Sequence, residues 1–182
     1  VKPMKYTVTA FGETKTYERK VSLLEILGDR DPDKKIIACR VNNRIRSLTY
    51  ELYKDSKLEF IDCKDPEAVK VYEATLRFIT AMAIHRAYPD QKIRFSYDIS
   101  RTVSIHFLSP RTVATTAMLL RIKHEMEEII AADYPLRRVV IPVEEAKRLA
   151  RESGYADKAA IMEYRPEKTA HLYYCDDYAN YM

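Results

Sequence analysis

Glycine is scarce in this sequence. Only three occur in 182 residues, Gly12, Gly28 and Gly154. A phosphate-cradling P-loop needs Gly-x-x-x-x-Gly-Lys-Ser/Thr, and a dinucleotide loop needs three glycines close together. Glycines this far apart satisfy neither pattern, which excludes nucleotide chemistry of those two kinds within the chain. Cysteine is equally sparse: Cys39, Cys63 and Cys175 stand far apart and form no Cys-x-x-Cys. An odd, dispersed set predicts reduced thiols in a cytoplasmic protein. No run of 18 apolar residues is present, so neither a membrane-spanning helix nor a membrane partner is expected. No charged start leads into an apolar stretch, so no secretory signal is expected. The sequence opens on Val1, and Met4 is a candidate initiator.

What is present describes a folded chain. Apolar residues make up 47% and charged residues 32%, which suits an ordinary core under a well-solvated surface. The length is long for one small domain and short for three. A net charge of +4 permits RNA or phosphate binding without arguing for it. The basic clusters are Lys34-Lys35, Arg40/Arg44/Arg46, Arg121/Lys123 and Arg137-Arg138, and most such clusters are simply solvated faces.

Two textures divide the chain. From Lys5 to Phe11 and from Thr14 to Lys20, alternating β-formers read as a hairpin around "FGET". "SLLEILG" is a short helix, with Ser22 as N-cap, Glu25 completing a capping box and Gly28 as the stop. "KIIACRVN" and "RIRSL" are strands around an Asn-Asn turn, since Asn tolerates positive φ. "KLEFIDC" is a further strand. The order β-β-α-β-β-β over residues 1–64 predicts a β-grasp, or ubiquitin-like, domain. At Asp65 a long helix begins, with Asp65 as N-cap and Pro66 at the first helical position. It is apolar on most sides (Val69, Val71, Tyr72, Leu76, Phe78, Ile79, Met82, Ile84), which predicts a helix central to a second domain, 65–182. Two strands follow, then a helix expected from Ser109-Pro110 to about Ala131. The strand "RRVVIPV", the helix "EEAKRLARESG" closed by Gly154, and two extended stretches, "KAAIMEYRP" and "AHLYYC", complete the reading. The fold class is α+β.

The stretches "ACRVNNRIRSLTYELYKDSKLEFIDCKDPEAV", "SYDISRT", "VVIPVEEAKRLARESGY" and "LYYCDDYANYM" carry a resemblance. Their order and spacing look like the TGS domain of threonyl-tRNA synthetase running into that enzyme's second, editing domain. The resemblance covers nearly the whole chain and implies an α/β sandwich after the β-grasp unit. That editing domain carries H-x-x-x-H in its first helix and C-x-x-x-H near its end, which bind a metal or hydrolyse mischarged tRNA. Carried across without gaps, the two histidine positions fall on Ala74 and Phe78 and the cysteine on Met182; the last histidine would lie beyond Met182. None of these three supplies a general base, and a thioether is a poor zinc ligand. The resemblance therefore implies the scaffold without the editing chemistry, and neither a catalytic residue nor a metal is expected.

Some bacterial uridine kinase-like proteins, of the uridine kinase/phosphoribulokinase type, carry a similar TGS-plus-editing-like region lacking the histidines, ahead of a P-loop kinase domain. This second resemblance implies a noncatalytic N-terminal region that binds a ligand or RNA, or regulates its own kinase domain. ATP and Mg would belong to that domain, downstream of Met182, with no cofactor in the 182 residues. The alternative is a threonyl-tRNA synthetase-related editing or tRNA-binding fragment. A third reading is RNA binding through an Arg40/Arg44/Arg46 face, with tRNA or a small nucleotide as partner.

Four histidines and a tyrosine-rich end are the remaining candidate sites. His171 and Cys175 share a strand face but stand about 13 Å apart along it, too far for one ion. His106 lies between Ile105 and Phe107 on the opposite strand face, where it would line a surviving cleft or simply meet solvent. His85 near the end of the long helix suits the helix dipole, and His124 reads as exposed. Tyr173, Tyr174, Tyr178 and Tyr181 cluster, as an interface or as packing against a downstream domain.

Overall fold

The computed structural model describes residues 5–97 and 102–180. Met4, Tyr181, Met182 and residues 98–101 of the "SYDISRT" stretch lie outside the described residues. The chain forms two compact units, 1–75 and 76–182. The expected boundary between Lys64 and Asp65 marks the start of helix α2 (Pro66–Ala87); the division itself falls inside that helix.

In the first unit, β1 (Tyr6–Ala10) and β2 (Glu13–Tyr17) pair antiparallel. Both turn residues between them have positive φ, Phe11 at 53° and Gly12 at 78°. This matches a two-residue hairpin turn, at some strain for the bulky Phe11. The two-residue strand β3 (Val21–Ser22) pairs with β6 (Glu51–Leu52). Helix α1 (Leu23–Leu27) is capped by the Ser22 side chain, which accepts from the Glu25 N–H, and stops at Gly28 with φ 53°. Only half of the expected capping box forms, because the Glu25 carboxylate pairs with Arg19. Strands β4 (Ile36–Val41) and β5 (Arg44–Arg46) join at Asn42 and Asn43, with φ of 48° and 65°. Strand β7 (Ser56–Asp62) completes a five-stranded sheet in the order β2-β1-β7-β4-β5. β1 and β7 run parallel; the other pairs are antiparallel.

The central strands bury both faces. Cys39, Val41 and Leu58 pack with Tyr6, Val8, Leu23 and Leu52. On the opposite face Ala38 and Ile61 pack with Ala68, from the first turn of α2. The Tyr6 hydroxyl lies 2.7 and 2.9 Å from the Arg19 and Leu52 carbonyls, which share its one proton.

The second unit holds the later part of α2, the hairpin β8 (Ile93–Tyr97) and β9 (Val103–Phe107), α3 (Thr116–Ala132), β10 (Arg137–Pro142), α4 (Val143–Glu152), α5 (Ala156–Glu163), β11 (Thr169–Cys175) and β12 (Tyr178–Asn180). The last three strands form an antiparallel sheet, β10-β11-β12. Period-2 alternation along β11 sends its side chains to two places. Tyr173 and Cys175 join Phe78, Met82 and Ile84 of α2 and Met118, Ile122 and Ile129 of α3. Ala170 and Leu172 join Ala146 and Ala150 of α4 and Ala159 and Met162 of α5. The sheet is thus packed by one helix pair on each face.

Three sequence expectations change here. Helix α3 starts six residues later than Ser109-Pro110 suggested, because Thr115 is the cap, its hydroxyl accepting from the Met118 N–H at 3.2 Å. The intervening segment makes a separate turn, Thr112 N–H to the Ser109 carbonyl at 3.1 Å, and Thr112 is held to Gln91. "KAAIMEYRP" is not extended but supplies helix α5, whose Ala159 and Met162, three apart, share a buried face. Finally, α2 is not buried on most sides along its length: Tyr72 and Leu76 are exposed, while Ala81 to Ile84 are fully buried.

Candidate functional site

The expected arginine face does not assemble. Across β4 and β5, Arg40 pairs with Ile45, while Arg44 pairs with Val41 and Arg46 with Cys39. Directly paired residues share a face, so Arg40 projects opposite to Arg44 and Arg46. Arg40 is also committed to carboxylates. It bonds Asp65 at 2.5 Å, Glu67 at 2.9 Å and Glu59 at 3.1 Å, and these hydrogen bonds, Asp65 first, raise its pKa further. Arg46 lies over the Tyr50 ring at 4.9 Å. Arg44 is exposed.

On α2, Ala74 is half-buried and Phe78 is 3% exposed. Phe78 packs edge-on against the Tyr178 ring, centroids 5.3 Å apart, and His85 tilts against the same ring at 5.4 Å. Burial pushes the Tyr178 phenol up to about 12. The position that the resemblance gives to a histidine is therefore filled by apolar packing. Met182 lies outside the described residues. The tyrosines of β11 and β12 pack inside this unit, Tyr173 and Tyr178 with the α2–α3 cluster and Tyr174 with the α4–α5 cluster.

Beside this packing, Arg86 in the last turn of α2 grips the β11–β12 turn. Its guanidinium bonds Asp176 at 2.8 Å and Asp177 at 2.9 Å, and the bond from Arg86 holds the Asp177 carboxyl below its usual range. Cys175 is buried and its thiol is raised by burial, while His171 on the same strand is exposed. Among the described residues, no group of three or more His, Cys, Asp or Glu side chains stands together as a metal site. His106 is exposed on β9, opposite Arg94, and its Nε2 is 2.7 Å from the Ser96 hydroxyl. His124 is exposed.

The second unit also contains a cleft of about 450 Å³. It is bordered by Ile84 and His85 of α2, by Lys92, by Tyr155 and Lys158 at the start of α5, and by Tyr174 and Asp177 to Asn180 at the β11–β12 end of the sheet. The Lys158 ammonium sits 4.1 Å from the Tyr155 ring and 3.3 Å from the Asn180 side-chain oxygen. Burial lowers the Lys158 pKa and raises that of Tyr155. Neither Ala74 nor Phe78 borders this cleft. Sequence reasoning missed Lys158 because it placed α5 as extended; the helical spacing of Ala159 and Met162 was the available signal. No local signal links Arg86 to the distant "DD" pair.

Fold and site together define a mixed α/β chain of two units, with an aromatic plug on α2 and a cleft beside it. In sequence, the chain is similar to threonine–tRNA ligases. It is 30% identical to that of Symbiobacterium thermophilum over 158 residues, which is 86% of this chain and 24% of the ligase. It is 30% identical to that of Syntrophomonas wolfei over 158 residues, 86% of this chain and 25% of the ligase, and 31% identical to that of Desulforamulus reducens over 131 residues, 72% and 20%. The chain spans about a quarter of the length of these curated relatives. No protein-family model matches it. These similarities give no support to the uridine kinase parent, nor to a kinase domain as partner.

Proposed function

We propose that this chain is a threonyl-tRNA synthetase-related module that binds tRNA and does not hydrolyse mischarged tRNA by the editing domain's histidine chemistry. In this reading the first unit is a TGS-type β-grasp domain, supported by its mixed sheet with β1 and β7 parallel at the centre. The second is an editing-type domain, supported by the length of the sequence similarity. The observation that carries the loss of editing is Phe78, buried against Tyr178 where the resemblance puts a histidine. A phenyl ring in an apolar cluster neither moves a proton nor holds a metal. The reading places the protein in the cytoplasm, where tRNA is found; no described helix is long and apolar enough to cross a membrane.

The test pairs binding with hydrolysis. Purified protein is expected to retain threonine-accepting tRNA on a filter, with affinity falling roughly tenfold or more between ~50 and ~200 mM salt. Seryl-tRNA incubated with the protein is expected to deacylate at the background rate. Hydrolysis above background would overturn the noncatalytic reading, and absence of retention at low salt would overturn the tRNA reading.

A further inference from the structure

Helix α3 carries two stripes and buries one of them. Met118, Ile122 and Ile129 belong to the α2–α3 cluster. Leu119, Lys123 and Ile130 repeat the same spacing one residue later, about 100° further around the helix. Leu120 and Glu127 border that second stripe, and all five side chains meet solvent. Leu119, Leu120 and Ile130 are 56%, 62% and 56% exposed, and Lys123 and Glu127 are exposed as well. The outward face of a helix is ordinarily polar. Here apolar residues at both ends enclose one ion pair, Lys123 to Glu127 at 3.6 Å.

The charges state what fits this face. Lys123 precedes Glu127, the weaker order for an i, i+4 pair within one helix. Along α3 the cations Arg121 and Lys123 come first, and the anions Glu125, Glu127 and Glu128 follow. A second α3 laid parallel would set like charge on like. Laid antiparallel, it sets its acidic half against the basic half, and each contact occurs twice about a two-fold axis. The apolar ends obey the same register. Leu120 stands three residues before Lys123, and Ile130 stands three residues after Glu127. The alignment that brings Lys123 to the partner's Glu127 therefore brings Leu120 to the partner's Ile130. Charge and apolar contact are self-complementary at one and the same register.

We propose that this face of α3 docks on a second copy of the chain, the two helices antiparallel and meeting at their Lys123–Glu127 pairs. The contact uses only the second unit and does not depend on the tRNA reading. With 17 residues, α3 is about 25 Å long and about 10 Å across. One helix pair of that size buries well under the ~1,200 Å² of a standard interface, so the dimer belongs to the weak, concentration-dependent class.

Sedimentation equilibrium of the whole chain at low salt, from ~10 μM to ~1 mM, covers the range of weak association. The mass is expected to rise from monomer toward dimer and to stop there, because a closed two-fold contact leaves no copy of the face free. Leu120→Ala/Ile130→Ala is expected to weaken association at least tenfold at an unchanged melting temperature. Lys123→Glu alone and Glu127→Lys alone are each expected to weaken it at least tenfold, since like charges then meet at the centre. An equimolar mixture of those two charge variants is expected to regain the parent's affinity. In the mixture the new carboxylate of one chain faces the new ammonium of the other, and a native Lys123 still faces a native Glu127. A chain that stays monomeric at ~1 mM, growth beyond a dimer, charge variants that associate like the parent, or a mixture no tighter than either variant alone would each overturn the proposal. A monomer that still retains tRNA on a filter removes this proposal and leaves the tRNA reading standing.

Discussion

Phe78 stands where the resemblance gives a histidine, and it is a core residue. It is almost fully buried, a member of the α2–α3 cluster with its ring edge-on to Tyr178. Truncation to alanine removes a large apolar volume that the neighbouring Met82, Ile122 and Tyr178 only partly refill. Phe78→Ala is expected to cost about 3–5 kcal/mol, read as a shift of the denaturant midpoint at unchanged slope. Phe78→His would place a polar ring in the same apolar surroundings, and is expected to destabilise the unit rather than to create hydrolysis. Seryl-tRNA deacylation by a folded Phe78→His variant would count against the account given for this position. Phe78 was legible as a core residue from the helical periodicity, and as a departure from the editing pattern from the resemblance. Its partner was not. Tyr178 is a hundred positions along the chain, and no local pattern states which aromatic meets which.

Elements with strong local grammar were readable: the Asn42-Asn43 hairpin, the Ser22 cap, the Gly28 and Gly154 stops, and the extended stretch that forms β11. Errors arose where local signals were absent or ambiguous. Ser109-Pro110 mimics a helix start, but Thr115 supplies the cap that α3 uses. The arginine face failed because Arg40, Arg44 and Arg46 were grouped by proximity in sequence, whereas the hairpin register puts Arg40 on the other side of the sheet. The clamp of α2 on the β11–β12 turn belongs to this scale too. Because Arg86 holds the Asp177 carboxyl below its usual value, the folded state binds that proton less readily than the unfolded chain. The stabilisation is therefore fully present above the ordinary aspartate value, ~4, and is lost as pH falls through the lowered one. Arg86→Ala is expected to speed amide exchange in β12 at neutral pH. The difference in melting temperature from the parent is expected to hold down to about pH 4 and to narrow below it. A difference that stays constant into stronger acid would show that the clamp acts by packing alone.

Across the whole molecule, the three thiols report on different places. Cys63 is exposed, while Cys39 is buried in the first unit and Cys175 in the second. Burial raises the Cys39 thiol to about 11 and raises Cys175 as well, so both lack thiolate as well as access. Iodoacetamide at pH 8 is expected to modify Cys63 promptly. Cys39 and Cys175 should react only as fast as their own units open, which peptide mass mapping resolves. Prompt reaction of all three would contradict the packing described for both units.

Strand β11 is a wall shared by two apolar clusters, Tyr173 and Cys175 feeding one and Ala170, Leu172 and Tyr174 the other. Adding or deleting a single residue within it would exchange the two sets, sending Leu172 toward α2 and Cys175 toward α4. The length of β11 is therefore not adjustable. The hairpin tips at Phe11-Gly12 and Asn42-Asn43 are where the chain can gain or lose residues without disturbing either cluster of the second unit.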